Sequence, residues 1–181
     1  MLFRSAGQRA SWRELVPVLA QAAEILHALH DRSHVHGGVK PANVFVDADG
    51  GVRLADLRAG TSLRARETTA YAAPEMLSGD TLDAPADVYS LGCVAFALLS
   101  GKPPYWGSPK QILADLRAHR PGSLLEIDAT LPPALDALIR EAMLAPAPAE
   151  RPTAAACRDA LRRCLGESEP QAVRAPAAQP T

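Results

Sequence analysis

Apolar residues recur at three- and four-residue spacing at Leu15, Val18, Leu19, Ala22, Leu26 and Leu29, one stripe along a helix that should end near His30. Its start is marked by Ser11-Trp12-Arg13-Glu14, the form of a capping box, in which Ser and Glu side chains satisfy backbone N–H groups of the first turn. The period then changes. Val44-Phe45-Val46 and Val52-Arg53-Leu54 are short β-branched runs joined across Asp49-Gly50, which predicts a hairpin. From Val88 to Leu99 the chain is almost continuously apolar, so the helix predicted from Asp83 or Pro85 to Gly101 should be buried on all sides. Gly101 suits a left-handed C-terminal cap.

Three further helices are marked by their first residues. Ser108-Pro109 opens one carrying Ile112, Leu113 and Leu116; Leu131-Pro132 opens one carrying Leu135, Leu138, Ile139 and Met143; Thr153 caps the last, through Leu161 to Cys164. Residues 167–181 are Ala, Pro and polar residues without a period, and disorder is expected there. The pattern predicts a mainly α fold with a small β-hairpin. It divides into a short N-terminal extension (1–10), one folded unit (11–165) and an Ala/Pro-rich tail (166–181).

Composition narrows the function. With 48% hydrophobic and 22% charged residues in 181, there is enough apolar material for one real core. A formal net charge of -1 supplies no basic field, so nucleic acid is not an expected partner. The most apolar run falls short of the ~20 residues that span a bilayer, and no signal peptide precedes it. A cytoplasmic chain with no membrane span is expected. Cys93, Cys157 and Cys164 are odd in number and widely spaced, and read as reduced, buried thiols. His27, His30, His34 and His36 crowd into ten residues, which raises a Zn²⁺ site as an alternative for them.

Candidate chemistry lies between the first helix and the hairpin, in His36-Gly37-Gly38-Val39-Lys40-Pro41-Ala42-Asn43. The hairpin should deliver Asp56 next to Asn43. The stretch resembles the catalytic loop of protein kinases, His-Arg-Asp-Leu-x-x-x-Asn, with Gly37 and Gly38 at the Arg and Asp places. Asp56-Leu57-Arg58 is similar to the family's Asp-Phe-Gly, with only the Asp kept. Tyr71-Ala72-Ala73-Pro74-Glu75 resembles the Ala-Pro-Glu end of the activation segment, with Thr68 at the family's threonine before it. Asp87-Val88-Tyr89-Ser90-Leu91-Gly92 and Gly101-Lys102-Pro103-Pro104-Tyr105 resemble the central helix of the large lobe and the turn behind it. Arg151-Pro152-Thr153 resembles the signal before the last helix. The flavour is that of bacterial Ser/Thr kinases.

The resemblance implies a kinase-like large (C-terminal) lobe, with the N-terminal small lobe and its glycine-rich phosphate loop expected to be absent. It implies that Lys40 meets a phosphate, and that Asn43 and Asp56 hold Mg²⁺ and, through it, a nucleotide. The alternative is that these are inherited polar residues stabilising the loop. His36, Glu75, Asp87 and Arg151 take structural roles: Glu75 and Arg151 as a buried ion pair, Asp87 as a hydrogen-bonding partner of the catalytic-loop backbone. With Gly38 at the base position the expectation is a pseudokinase needing no cofactor, Mg-ATP being the cofactor if there is one. Such a protein acts as a scaffold or allosteric partner for another kinase or signalling protein, through the helices after Gly101. The alternatives are a weak Ser/Thr kinase or other phosphoryl or nucleotidyl transferase completed by a small lobe from upstream sequence or a partner, and a gene fragment. Gly37 also removes the Arg that pairs with an activation-segment phosphate, so phosphorylation of Thr61, Thr68 or Thr69 should not act in the family's way. Arg58 is expected to pair with Asp56 in place of a metal.

Overall fold

The computed structural model describes residues 10–57, 69–78, 82–118 and 121–166. The extension over residues 1–9 and the tail over 167–181 lie outside them. The fold is mainly helical with one two-stranded antiparallel sheet. Helix α1 (Trp12–His30) starts at Ser11, whose N–H donates to the Glu14 carboxylate at 2.7 Å. Its buried face is wider than the sequence stripe, since Trp12, Val16, Ala20 and Ala23 are buried as well as Leu15, Leu19, Ala22 and Leu26. The breadth has a cause in the packing, because α1 lies against α3 (Ala84–Ser100), α6 (Ala154–Cys164) and the hairpin together.

The hairpin pairs β1 (Val44–Val46) with β2 (Val52–Leu54) in the register Val44↔Leu54, Phe45↔Arg53, Val46↔Val52. Gly50 takes φ +81, and the Asp47 carboxylate accepts the Gly51 N–H at 2.7 Å, so the turn is closed by one side chain and one left-handed glycine. Strands of three residues are too short to hold themselves. Gln21 of α1 does it from outside, donating from Nε2 to Gly50 O at 3.1 Å and accepting the Val52 N–H at 3.2 Å.

Helix α3 is buried on nearly every face, from Ala86 to Phe96. Asp83 caps its start and Gly101, at φ +84, ends it. Short α2 (Pro74–Ser78) precedes it and α4 (Pro109–Ala118) follows, with the Ser108 hydroxyl accepting the Gln111 N–H at 3.3 Å. The helix expected to run regularly through Met143 does not. After α5 (Pro133–Ala137) the chain widens into a π-helical stretch, Leu138–Met143, closed by Leu144 N–H to Ile139 O at 3.1 Å. The wider turn brings Ile139, Met143 and Leu144 all to full burial, where a regular helix turns one of them away. Met143 and Leu144 seat on Gly92 of α3. Cys93 and Cys157 are buried, and burial pushes the Cys157 thiol up to about 12, whereas Cys164 near the end of α6 is only partly covered. No helix among the described residues is long and apolar enough to cross a membrane.

Gly92 generates a stability prediction. A Cβ there meets Met143 Cβ at 2.9 Å and Leu144 Cδ2 at 3.1 Å. Gly92→Ala is therefore expected to destabilise by about 1–3 kcal/mol through overpacking. Urea melts should show a lower midpoint with an unchanged slope; an unchanged midpoint contradicts the close approach.

Candidate functional site

The site is built from the bottom up around one carboxylate. Asp87, in the first turn of α3, is 1% exposed and accepts the backbone N–H of His36 at 2.7 Å and of Gly37 at 2.8 Å. His30, the last residue of α1, brings Nε2 to 2.9 Å from the same group. A carboxylate only accepts, so His30 Nε2 carries the proton. A helix end, a helix start and a loop are thus tied to one buried anion.

The loop above it is shaped by its own backbone. Gly37 sits at φ +67, in the left-handed region that favours glycine. The Gly38 N–H donates to His36 Nδ1 at 3.2 Å, and Gly38 O accepts from Asn43 Nδ2 at 2.8 Å, so the ends of the loop are stitched together across Val39 and Lys40. The 3-10 turn Pro41–Asn43 leads directly into β1, and the Ala55 N–H returns to Asn43 O at 2.9 Å. That closure places Asp56 beside Asn43, with Asn43 Nδ2 3.4 Å from Asp56 Oδ2. Asp56 is itself at φ +62, a conformation Asp tolerates better than most residues.

The structure therefore brings Asn43 and Asp56 together at the loop's mouth. Lys40 is half-exposed and has no ion-pair partner among the described residues, and Gly38 offers no side chain at the centre. Because Asn43 spends its amide N–H groups on Gly38 O and Asp56, its Oδ1 is left as an acceptor. Asn43 Oδ1 and the Asp56 carboxylate form an oxygen donor pair of the kind that suits a hard divalent cation. Three of the four crowded histidines are already engaged, while His34 is exposed: His27 Nδ1 lies 3.2 Å from Asp31, His30 meets Asp87 and His36 faces Gly38. Among the described residues no group of three or more His, Cys, Asp or Glu is placed to hold a metal. Arg58, Thr61 and Thr68 lie outside the described residues. Thr69 opens a 3-10 turn, Thr69–Tyr71.

Below the loop, Arg151 fixes the far side. Its guanidinium donates Nη2 to Glu75 at 2.9 Å and Nη1 to the same carboxylate, Nε to Ala145 O at 2.8 Å, and further bonds to Pro85 O and Pro146 O. All five N–H groups are placed, and the guanidinium carbon lies 4.8 Å from the centre of the Tyr89 ring. Burial pushes the Tyr89 phenol far up. Two contributors were not apparent from the sequence. Gln21 shows only as a polar residue inside an apolar stripe, and Tyr89 as one more apolar position in α3.

The pair's side chains are 0% and 13% exposed for Arg151 and Glu75. Glu75→Ala leaves a buried guanidinium without its counter-charge, and a loss of about 3–5 kcal/mol is expected. Calorimetric melting checks it; a midpoint equal to wild type excludes a structural role for the pair.

Sequence comparison agrees with this geometry. The protein kinase domain model matches residues 3–161. The chain is 32% identical over 145 residues to the serine/threonine-protein kinase PknB of Mycolicibacterium smegmatis, covering 72% of this chain and 23% of that protein. It is 35% identical over 144 residues to the serine/threonine-protein kinase PknJ of Mycobacterium bovis, covering 71% and 24%. A probable serine/threonine-protein kinase PknB of Corynebacterium glutamicum is 32% identical over 145 residues, covering 65% and 22%. The chain spans about a quarter of the length of these curated relatives. A match that runs from residue 3 to residue 161, across the helices and the loop that build this site, makes the chain a member of the protein kinase domain family.

Proposed function

We propose that this chain is a catalytically impaired, pseudokinase-like domain that works as a signalling scaffold or allosteric partner. One observation carries the reading: Gly38 stands where the family's catalytic loop has the Asp that takes the substrate hydroxyl's proton. Losing a general base costs about 10²- to 10⁴-fold in rate. Gly37 adds to it, since no cationic side chain at that position receives an activation-segment phosphate. Asp87 and His36 bond the loop amides, and Arg151 ties Glu75 to Pro85 at the start of α3, without any of the lost side chains. For a partner surface, the region after α3 offers Trp106 at 73% exposure and Ile127 at 42%. An aromatic side chain as exposed as Trp106 is of the type enriched at the core of protein contacts. The partner expected is another kinase or signalling protein.

A weak Ser/Thr protein kinase is the second reading, and it too has a specific observation. Asn43 and Asp56 are adjacent and Lys40 has no ion-pair partner among the described residues, so Asn43 Oδ1 and Asp56 suit Mg²⁺ while Lys40 suits a nucleotide phosphate. Bound Mg-ATP supplies the transferable phosphoryl group and neutralises its charge. In this reading the small lobe comes from further sequence or from a partner.

The two readings separate by assay. With Mg-ATP and a basic Ser/Thr peptide, phosphate incorporation is expected to stay at the level of the Asn43→Ala variant. Incorporation that Asn43→Ala abolishes overturns the impaired reading. Thermal melting adds the nucleotide question: a ligand bound at 100 times its Kd stabilises by about 2.7 kcal/mol, a shift of several degrees. The scaffold reading expects none.

A further inference from the structure

A cavity of about 440 Å³ opens behind the catalytic loop, where the end of α1 meets the first turns of α3 and α6. Among its lining residues are His27, His30, Asp31, Asp83, Pro85 and Thr153. Lys40, Asn43 and Asp56 do not line it. Its volume is within the range of small-molecule sites.

The charged and imidazole groups of its wall that stay open are acceptors, beside the Thr153 hydroxyl and the first N–H groups of α6. His30 donates its Nε2 proton to Asp87, which leaves Nδ1 as a lone pair, and no partner for it exists among the described residues. Asp83 uses Oδ1 for the Ala84 N–H at 2.7 Å and keeps Oδ2. Asp31 is exposed, with Oδ1 3.2 Å from His27 Nδ1; if His27 donates there, its Nε2 becomes a further acceptor. The Thr153 oxygen accepts the Ala156 N–H at 3.2 Å. The cation on the wall, Arg151, has a fully buried side chain whose N–H groups are donated to Glu75 and to carbonyls. Two helix N-termini open here and favour anions in principle, but Asp83 and Thr153 already cap them. What remains as charge is two carboxylates, with the His30 lone pair, the Thr153 hydroxyl and apolar walls from Pro85, Val88 and Pro152 around them.

From this inventory we propose that the cavity is a binding site for an organic cation: an ammonium or guanidinium group on a short alkyl stem, its charge between Asp31 and Asp83 and its stem on Pro85, Val88 and Pro152. A free amine and an arginine side chain share this chemistry. His30 links the site to the catalytic loop, because the carboxylate that receives its proton also holds His36 N and Gly37 N. Occupancy therefore registers in the loop amides. The inference is independent of whether the domain transfers phosphate.

The test is a ¹⁵N NMR titration of the full chain with pentylammonium, with Nα-acetylarginine methylamide, and with 1-pentanol as the uncharged control. The expected result is that one or both cations shift the amides of Ala84, Val88 and Ala154 together with Gly37, while pentanol does not. Binding of pentylammonium alone identifies a small amine as the ligand; binding of the arginine derivative alone identifies a protein side chain. Asp83→Asn keeps a good helix cap and is expected to weaken binding about threefold, with Asp31→Asn adding a similar factor. No shift by either cation, equal shifts by pentanol, or full affinity in the double variant overturns the proposal. Should the double variant melt early, salt takes its place: binding that does not weaken as ionic strength rises contradicts an ionic site.

Discussion

Asp87 is a negative charge in the middle of the protein, and such a group is tolerated only when its lone pairs are filled. Two backbone amides and one imidazole fill them, and those donors come from segments some fifty residues away in sequence. The bond pattern runs in both directions. The carboxylate is stable because the loop is there, and the loop has its shape because the carboxylate is there. Since the donors are main-chain N–H groups, the bonds to Asp87 use no side chain from positions 37 or 38. Glycine at both leaves the scaffold intact.

The Glu75–Arg151 pair works at a longer range, joining residues 76 positions apart. A buried ion pair is weak evidence for net stability, because desolvation offsets much of the attraction. Its effect here is better described as registry. Five N–H groups in a rigid fork accept only one placement of Glu75, Pro85, Ala145 and Pro146 relative to one another. The α3 start that carries Asp87 is among the pieces so placed, through Pro85. Framework and loop mouth are therefore separable: the framework rests on backbone groups and on the charges of Asp87, Glu75 and Arg151, whereas Lys40, Asn43 and Asp56 stand outside it at the loop's mouth.

What could be read from the sequence follows that division. Local devices were legible: the Ser11–Glu14 box, the left-handed cap at Gly101, the Thr153 cap and the all-apolar α3 each depend on neighbours a few residues away. The hairpin was legible as strands, but not its dependence on Gln21, because a glutamine's partners are set by what the fold brings near it. The π-helical stretch was illegible for the same reason; it arises from seating Met143 and Leu144 on Gly92, which only the tertiary packing specifies. The adjacency of Asn43 and Asp56 followed from the hairpin, whereas the Glu75–Arg151 pair was anticipated only through family resemblance. The cavity behind His30 had no sequence signal, since its walls come from separate helix ends.

Gly37 has a consequence for how this loop can change. Its backbone is left-handed, and a residue with a β-carbon there raises the energy of the folded state by about 1–2 kcal/mol. A side chain at 37 is thus uphill on its own, unless a contact it gains elsewhere offsets the strain. The loop behaves as a ratchet: glycine is easily entered and hard to leave.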